Sequence, residues 1–256
     1  MATVLVGHVT KDGSLAGPRT MEHVVDTVCS FEGDRHHGLR FLRALKHRFG
    51  STREVGIFEM TEHGLDPVPD ASALFLADRH PGAVGSVVAA TVEGARPMLL
   101  EVQALVAPRD DGGRRVATGV DGNRLSLLLA VLERHASIDT RRADVYASVA
   151  GGVRVAETGI DLAVLAAVAG VVEDRVIDAR TMVVGEVGLG GEVRGVSHAH
   201  LRVAEAARLG FTRVVGPASL PRVSGVETVG VDTVDAALAA AFARSAARER
   251  PMARTG

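Results

Sequence analysis

Lys46 and Arg48 stand one residue apart in "ALKHRFGS", Ala44–Ser51, beside Phe49 and Gly50. They close a basic run that holds Arg35, Arg40, Arg43, Lys46 and Arg48 together with His36, His37 and His47. Exposed, such a run makes a dense positive surface. The plainer reading is a solvated helix end, because cations sit well near a helix C-terminus and Gly50 is a natural stop. Other chemistries find less support. No G-x-x-x-x-G-K-[ST] phosphate loop occurs, and "GHVTKDGS" lacks the glycine spacing to imitate one. His36 and His37 have no further ligand at metal spacing. Cys29 is the single cysteine, which excludes an internal disulfide framework and a cysteine zinc site.

The elements that must position these residues come from a chain of 256 residues, enough for one large or two modest domains with their own cores. With 29 Lys+Arg against 31 Asp+Glu, net charge is -2, so any nucleic-acid site must be local. The lone thiol, the lack of a basic leader before an apolar stretch, and the absence of any run near the ~18 apolar residues of a membrane span suggest a cytoplasmic protein with no membrane partner.

"TVLVGHV" reads as a strand buried on both faces of a parallel sheet, although little chain precedes it to cover it. "MEHVVDTVCSFEG" is a mixed apolar segment, the basic run is helix-like, and "EVGIFEMTEHGL" alternates like a strand. Residues 1–76 therefore read as one α/β unit, with a Pro/Gly boundary at "DRHPGAVGS", Asp78–Ser86.

Beyond it, a hairpin turns at Glu93-Gly94. Asp121 or Asn123 caps the helix "RLSLLLAVLERHA", and "ADVYASVAGG" is a strand. "IDLAVLAAVAGVVED" has the apolar density of a core helix, and a second hairpin turns at Gly188–Gly191. Ser197 caps "HAHLRVAEAARLG", which Gly210 closes. Strand "TRVVGP" and helix "VDTVDAALAAAFARSAA" follow, and residues 246–256 read as a frayed tail. The second unit, 84–245, is thus α+β.

Residues 3–65 carry a resemblance. With Lys46-His47-Arg48-Phe49-Gly50 standing for a Lys-Asn-Arg-Phe-Gly hallmark, the stretch resembles the later part of the ATPase core of the bacterial RadA (Sms) family of DNA repair proteins. The resemblance implies a partial RecA-like parallel sheet without its phosphate loop. It also implies an ATP and Mg2+ site largely outside this chain, and zinc only in a four-cysteine module outside it too. RecA-like ATPases bind ATP between subunits, with cations from a neighbour stabilising the transferring phosphoryl group. By similarity Lys46 and Arg48 are those trans-acting groups, His8 sits at the phosphate-sensor position, and Lys11 begins a DNA-touching loop. Arg35, Arg40 and Arg43 are further DNA-binding candidates.

Residues 84–245 resemble the Lon-protease-like (ribosomal S5 domain 2-like) domain that follows in that family. Where active Lon proteases use a Ser-Lys dyad, this sequence is matched at Gly159 and His200, which cannot form one. The domain is expected to be proteolytically inactive, to assemble rings and to offer DNA a basic surface drawn from Arg109, Arg114, Arg115, Arg124, Arg134, Arg141 and Arg142. The family implies a DNA-dependent ATPase that promotes branch migration of recombination intermediates. Its partners would be single-stranded and branched DNA, a homohexameric ring of itself, and the RecA recombinase. The competing readings are a Lon-type serine peptidase and a non-catalytic oligomerisation and DNA-binding module.

Overall fold

The segment Leu39–His47 settles the form of the first unit, because it pairs antiparallel along both edges as a strand. A computed structural model of the chain describes residues 2–7, 24–33, 38–110 and 112–243. These divide between Val68 and Pro69 into two compact units.

The first unit is an antiparallel meander of β1 (Thr27–Gly33), β2 (Leu39–His47), β3 (Val55–Thr61) and β4 (Gly64–Pro67), paired in that order. Side-chain alternation places Leu39, Phe41 and Ile57 on one face. Phe31, Leu42 and Phe58 share the other, where the two phenyl rings lie 6.0 Å apart. The register slips where Val28 pairs with Lys46 but Cys29 with Ala44, so Leu45 is the extra residue of a β-bulge.

Two expectations fail here. The basic run is not a helix: it is β2, and only Arg48 to Gly50 lie in the turn after it. Ala2–Gly7 forms no strand, and its described residues are exposed. An apolar run becomes a strand only where neighbours satisfy its amides, and no described strand pairs with this one. All pairing among the described residues of this unit is antiparallel.

Parallel pairing belongs to the second unit. Its elements are α1 (Ala71–Leu76), β5 (Ser86–Glu93), β6 (Arg96–Pro108), β7 (Arg115–Thr118), α2 (Gly122–Ala136), β8 (Ala143–Val149), α3 (Asp161–Val172), β9 (Thr181–Val183), β10 (Glu186–Val187), β11 (Val193–Arg194), α4 (Ala199–Arg208), β12 (Arg213–Pro217), β13 (Glu227–Val231) and α5 (Val234–Phe242). Seven strands form one sheet in the order β13-β12-β9-β5-β6-β8-β7, while β10 and β11 make the separate hairpin. β5-β6 and β6-β8 are antiparallel; the other neighbours are parallel. The mixed α/β content expected for the chain is therefore present.

The second unit's core follows its apolar runs. In α3, every residue from Asp161 to Gly170 is buried, as a helix apolar all round must be. It packs on β5 and β6. Val203 and Ala206 of α4 meet Val88, Ala90, Leu99 and Met182 on the sheet. Asp121 caps α2 as expected, accepting from Arg124 N at 2.8 Å. Ser197 does not cap α4. His198 fills that place in the left-handed region, φ 52°, with no side-chain cap, and the Ser197 carbonyl accepts instead from Arg202.

Ion pairs tie α1 to α4. Arg208 bridges Asp70, the α1 cap, and Glu205, while Ser72 also donates to Glu205 at 2.6 Å. The Arg208 hydrogen bond and then the Ala73 amide hold Asp70 below its ordinary 3.8. Burial opposes ionisation of Glu205, yet Arg208 and Ser72 together hold it below 4.5. Depressed carboxyls stabilise the fold above their unfolded values and lose that contribution as pH falls through the folded ones. The thermal midpoint should therefore decline as pH drops below about 5, and Arg208→Gln should flatten the decline. An unchanged pH profile in that variant would refute this origin.

Candidate nucleotide-facing tip and arginine surface

Lys46 is the last residue but one of β2 and Arg48 begins the turn after it, and both reach the two consecutive residues that precede β1. Lys46 Nζ donates to the Val25 carbonyl at 2.9 Å. Arg48 Nη1 donates to Asp26 Oδ1 at 3.1 Å, and Arg48 N to the Asp26 carbonyl at 2.9 Å. Between them His47 Nδ1 and Thr27 Oγ1 lie 2.9 Å apart. A Cβ at Gly50 would lie 2.7 Å from the His47 ring, so the glycine lets the turn close on it. Phe49 is 77% exposed. The tip thus presents two cations and an aromatic ring on a turn fixed to β1. The Arg48-Asp26 pair, with side chains 69% and 57% exposed, is a surface pair worth about 0–1 kcal/mol. An incoming phosphate can displace it cheaply.

The other basic candidates do not join one surface. Arg40 and Arg43 lie on opposite faces of β2, as a strand's two-residue period requires. Arg40 donates to the Leu39 carbonyl at 2.9 Å, and Arg43 pairs with Glu32 at 3.3 Å. His8, Lys11 and Arg35 lie outside the described residues, as do His36 and His37.

In the second unit, Gly159 lies in a single 3-10 turn just before α3. The side chain facing it is Arg202, not His200. A Cβ on Gly159 would stand 3.0 Å from Arg202 Nη1 and 3.3 Å from Glu157 Oε2. His200, on the first turn of α4, is exposed. Arg202 is 0% exposed. Its guanidinium donates to both Glu157 oxygens, to the Ala90 carbonyl, and through Nε to the Ser197 carbonyl at 2.8 Å. Glu157 Oε1 also accepts from Thr91 Oγ1 at 2.7 Å and Val92 N at 3.2 Å. The surroundings of Gly159 therefore hold no serine or cysteine nucleophile, and the cation there cannot act as a base. The sequence reading missed Arg202 and Glu157. Their one signal was a charge on the apolar side of α4, next to buried Val203.

Five of the seven arginines named for a basic surface do converge. Arg109 N donates to the Arg142 carbonyl at 2.8 Å and Gly113 N to the Arg141 carbonyl at 3.1 Å, which ties the loop after β6 to the segment before β8. Asp144 pairs with Arg109 at 3.0 Å, while Asp139 and Glu133 hold Arg141. The Arg141 side chain, then its amide, hold Asp139 down to about 2. Arg115 is turned to the Ala143 and Thr140 carbonyls. Arg114 and Arg142 are exposed and have no ion pair within 4.0 Å among the described residues. Arg134 sits apart, in the last turn of α2.

Arg124 is a structural cation. It pairs with buried Asp161 and donates to the Val187 carbonyl at 2.7 Å. Burial pushes the Asp161 carboxyl up against that hydrogen bonding.

Among the described residues, no three His, Cys, Asp or Glu side chains are grouped to hold a metal. No described helix is long and apolar enough to cross a membrane.

The chain matches no family model. It is 49% identical over 251 residues to the DNA repair protein RadA of Halalkalibacterium halodurans, covering 95% of this chain and 54% of the relative. Against the RadA of Bacillus subtilis it is 51% identical over 239 residues, 91% of this chain and 52% of that one. Over nearly its whole length this chain is a homologue of proteins named DNA repair protein RadA. A RadA from Streptococcus pneumoniae is 48% identical over 250 residues, 95% of this chain and 59% of its own length. The chain thus spans about half the length of the curated RadA relatives it matches.

Proposed function

We propose that this chain is the part of a RadA-type DNA repair ATPase that completes a neighbour's ATP site and contacts DNA. The observation that carries this reading is the anchoring of Lys46 and Arg48 on consecutive residues, Val25 and Asp26, at the tip of the first sheet. Arg48 offers a planar fork to phosphoryl oxygens and Lys46 a compact charge. Both would act on ATP and Mg2+ held by another subunit's phosphate loop, in a ring of copies, the hexamer being the natural closure for such ATPases. The Lys46-His47-Arg48-Phe49-Gly50 tip is then a finger, and DNA-dependent hydrolysis would drive branch migration of recombination intermediates alongside RecA. His8 as phosphate sensor and Lys11 and Arg35 as DNA contacts complete the reading. Zinc would belong to a module outside this chain.

Arg114 and Arg142 are the DNA-facing residues that the second unit supports best, because their neighbours are neutralised and they are not. The purified chain should bind single-stranded DNA with a strong salt dependence and release no phosphate from ATP by itself. Arg114→Gln with Arg142→Gln should reduce the slope of log affinity against log salt by about 1.4, at roughly 0.7 per phosphate contact. An unchanged slope would remove these residues from the interface. Turnover of ATP by the chain alone would overturn the neighbour-site reading.

A further inference from the structure

Glu101 is a buried carboxylate without an ion pair. It is 3% exposed, on β6, and lines a cavity of about 300 Å³ in the second unit. Ser86 Oγ donates a very short hydrogen bond to Oε1, and Gln103 Nε2 donates to Oε2 at 2.9 Å. Both donors are neutral, and no cation lies within 4.0 Å among the described residues. Arg79 feels the carboxylate only from farther off, its guanidinium being turned to the Ala179 carbonyl at 3.0 Å. A charge removed from water in this way is costly unless a counter-charge joins it.

The cavity has the form of such a counter-charge. Residues 99, 101, 103 and 105 of β6 share one sheet face, and pairing with β8 sets Ser148 beside Gln103 and Tyr146 beside Leu105. α4 covers that face at Leu99. Beyond Glu101 it opens, with Leu105 59% exposed and Val84 at the rim. The lining combines aliphatic Ala83, Val84 and Leu105 with His80, the Tyr146 and Ser148 hydroxyls and the Glu101 carboxylate. An aliphatic stem ending in a compact cation matches that mixture of apolar surface and one carboxylate.

We propose that this cavity binds a primary ammonium group on an aliphatic stem, with Glu101 as its counter-ion and Tyr146 and Ser148 beside it. A lysine side chain and a free polyamine share this chemistry. The group is held already desolvated by Ser86 and Gln103, so little reorganisation accompanies binding.

The chain carries one tyrosine and no tryptophan, so its intrinsic emission reports Tyr146 alone. Titration of the purified chain with cadaverine, and separately with N-acetyl-lysine methylamide, should give a saturable change in that emission. Pentanol, which keeps the stem and lacks the charge, should give none. Glu101→Gln should weaken binding about 10-fold or more while the far-ultraviolet spectrum is retained, from the loss of a charge-assisted hydrogen bond. Leu105→Arg alters only an exposed rim residue and places a resident cation at the mouth, so it should weaken both amines even if Glu101→Gln folds poorly. Tighter binding of the diamine assigns a free polyamine, and tighter binding of the lysine derivative assigns a peptide. Absence of saturation with both amines, or equal binding by wild type and Leu105→Arg, would overturn the site.

Discussion

Arg48→Ala, tested in a Bacillus subtilis RadA whose matching segment is replaced by this chain, is expected to lower ATP turnover by about 10³-fold or more, the scale of a lost arginine finger. The effect belongs in turnover and not in nucleotide affinity, since the guanidinium would meet charge that develops on the transferring phosphoryl group. Arg48→Lys should recover only part of it, because an ammonium lacks the planar fork. Mixing Arg48→Ala subunits with subunits that lack a working phosphate loop should restore hydrolysis at shared interfaces, the signature of a group acting across subunits. If turnover in the single variant stays within about twofold of the parent chimera, Arg48 is not the finger. The tip would then be a surface turn whose only energetic feature is the weak Arg48-Asp26 pair.

The second large effect is on stability. Glu157→Gln removes the counter-charge of Arg202, whose side chain is 0% exposed while that of Glu157 is 28% exposed. Stranding one member of a buried pair costs about 3–5 kcal/mol. For a protein of this size that corresponds to a fall in thermal midpoint of roughly 6–20 °C, at 2–4 °C per kcal/mol. Glu157→Gln combined with Arg202→Leu should cost less than the two single changes summed, because the double variant buries no unpaired charge. A midpoint within 1–2 °C of the parent for Glu157→Gln would show that water, and not Glu157, compensates Arg202. On the Lon-like reading, a serine introduced at Gly159 is expected to give no peptide cleavage, because it would press on a guanidinium already engaged with four acceptors, and the carboxylate beside it, Glu157, is committed to that guanidinium.

Much of the second unit was legible as sequence. The run "IDLAVLAAVAGVVED" could only be a helix buried all round, and Asp121 could cap α2 because its side chain reaches the amide three residues on. Both hairpins were readable from Glu93-Gly94 and from Gly188–Gly191, where a tight reversal needs residues that tolerate it. Ser197 misled for a local reason: an available hydroxyl is a good cap, but the buried Arg202 claims the backbone carbonyl of that residue and His198 takes the left-handed position.

The basic run misled for a different reason. "GLRFLRALKHRFG" has apolar residues spaced for a helix and for a strand alike, and only its pairing with β1 and β3 selects the strand. That choice splits Arg40 from Arg43 across the sheet and leaves Lys46 and Arg48 together at its end.

By itself the sequence determined the residue types available for chemistry: two cations one residue apart, and no phosphate loop. These are properties of composition and spacing, and no fold can alter them. The tertiary structure decided which charges remain available. It buried Arg202 against Glu157 and Asp161 against Arg124, neutralised Arg109 and Arg141, and left Arg114 and Arg142 in water. It also placed Glu101 in the lining of a cavity that no local pattern marks. The counter-charges of Arg109, Arg124 and Arg202 lie 35 to 45 positions away in the chain, beyond the reach of any periodicity within one element.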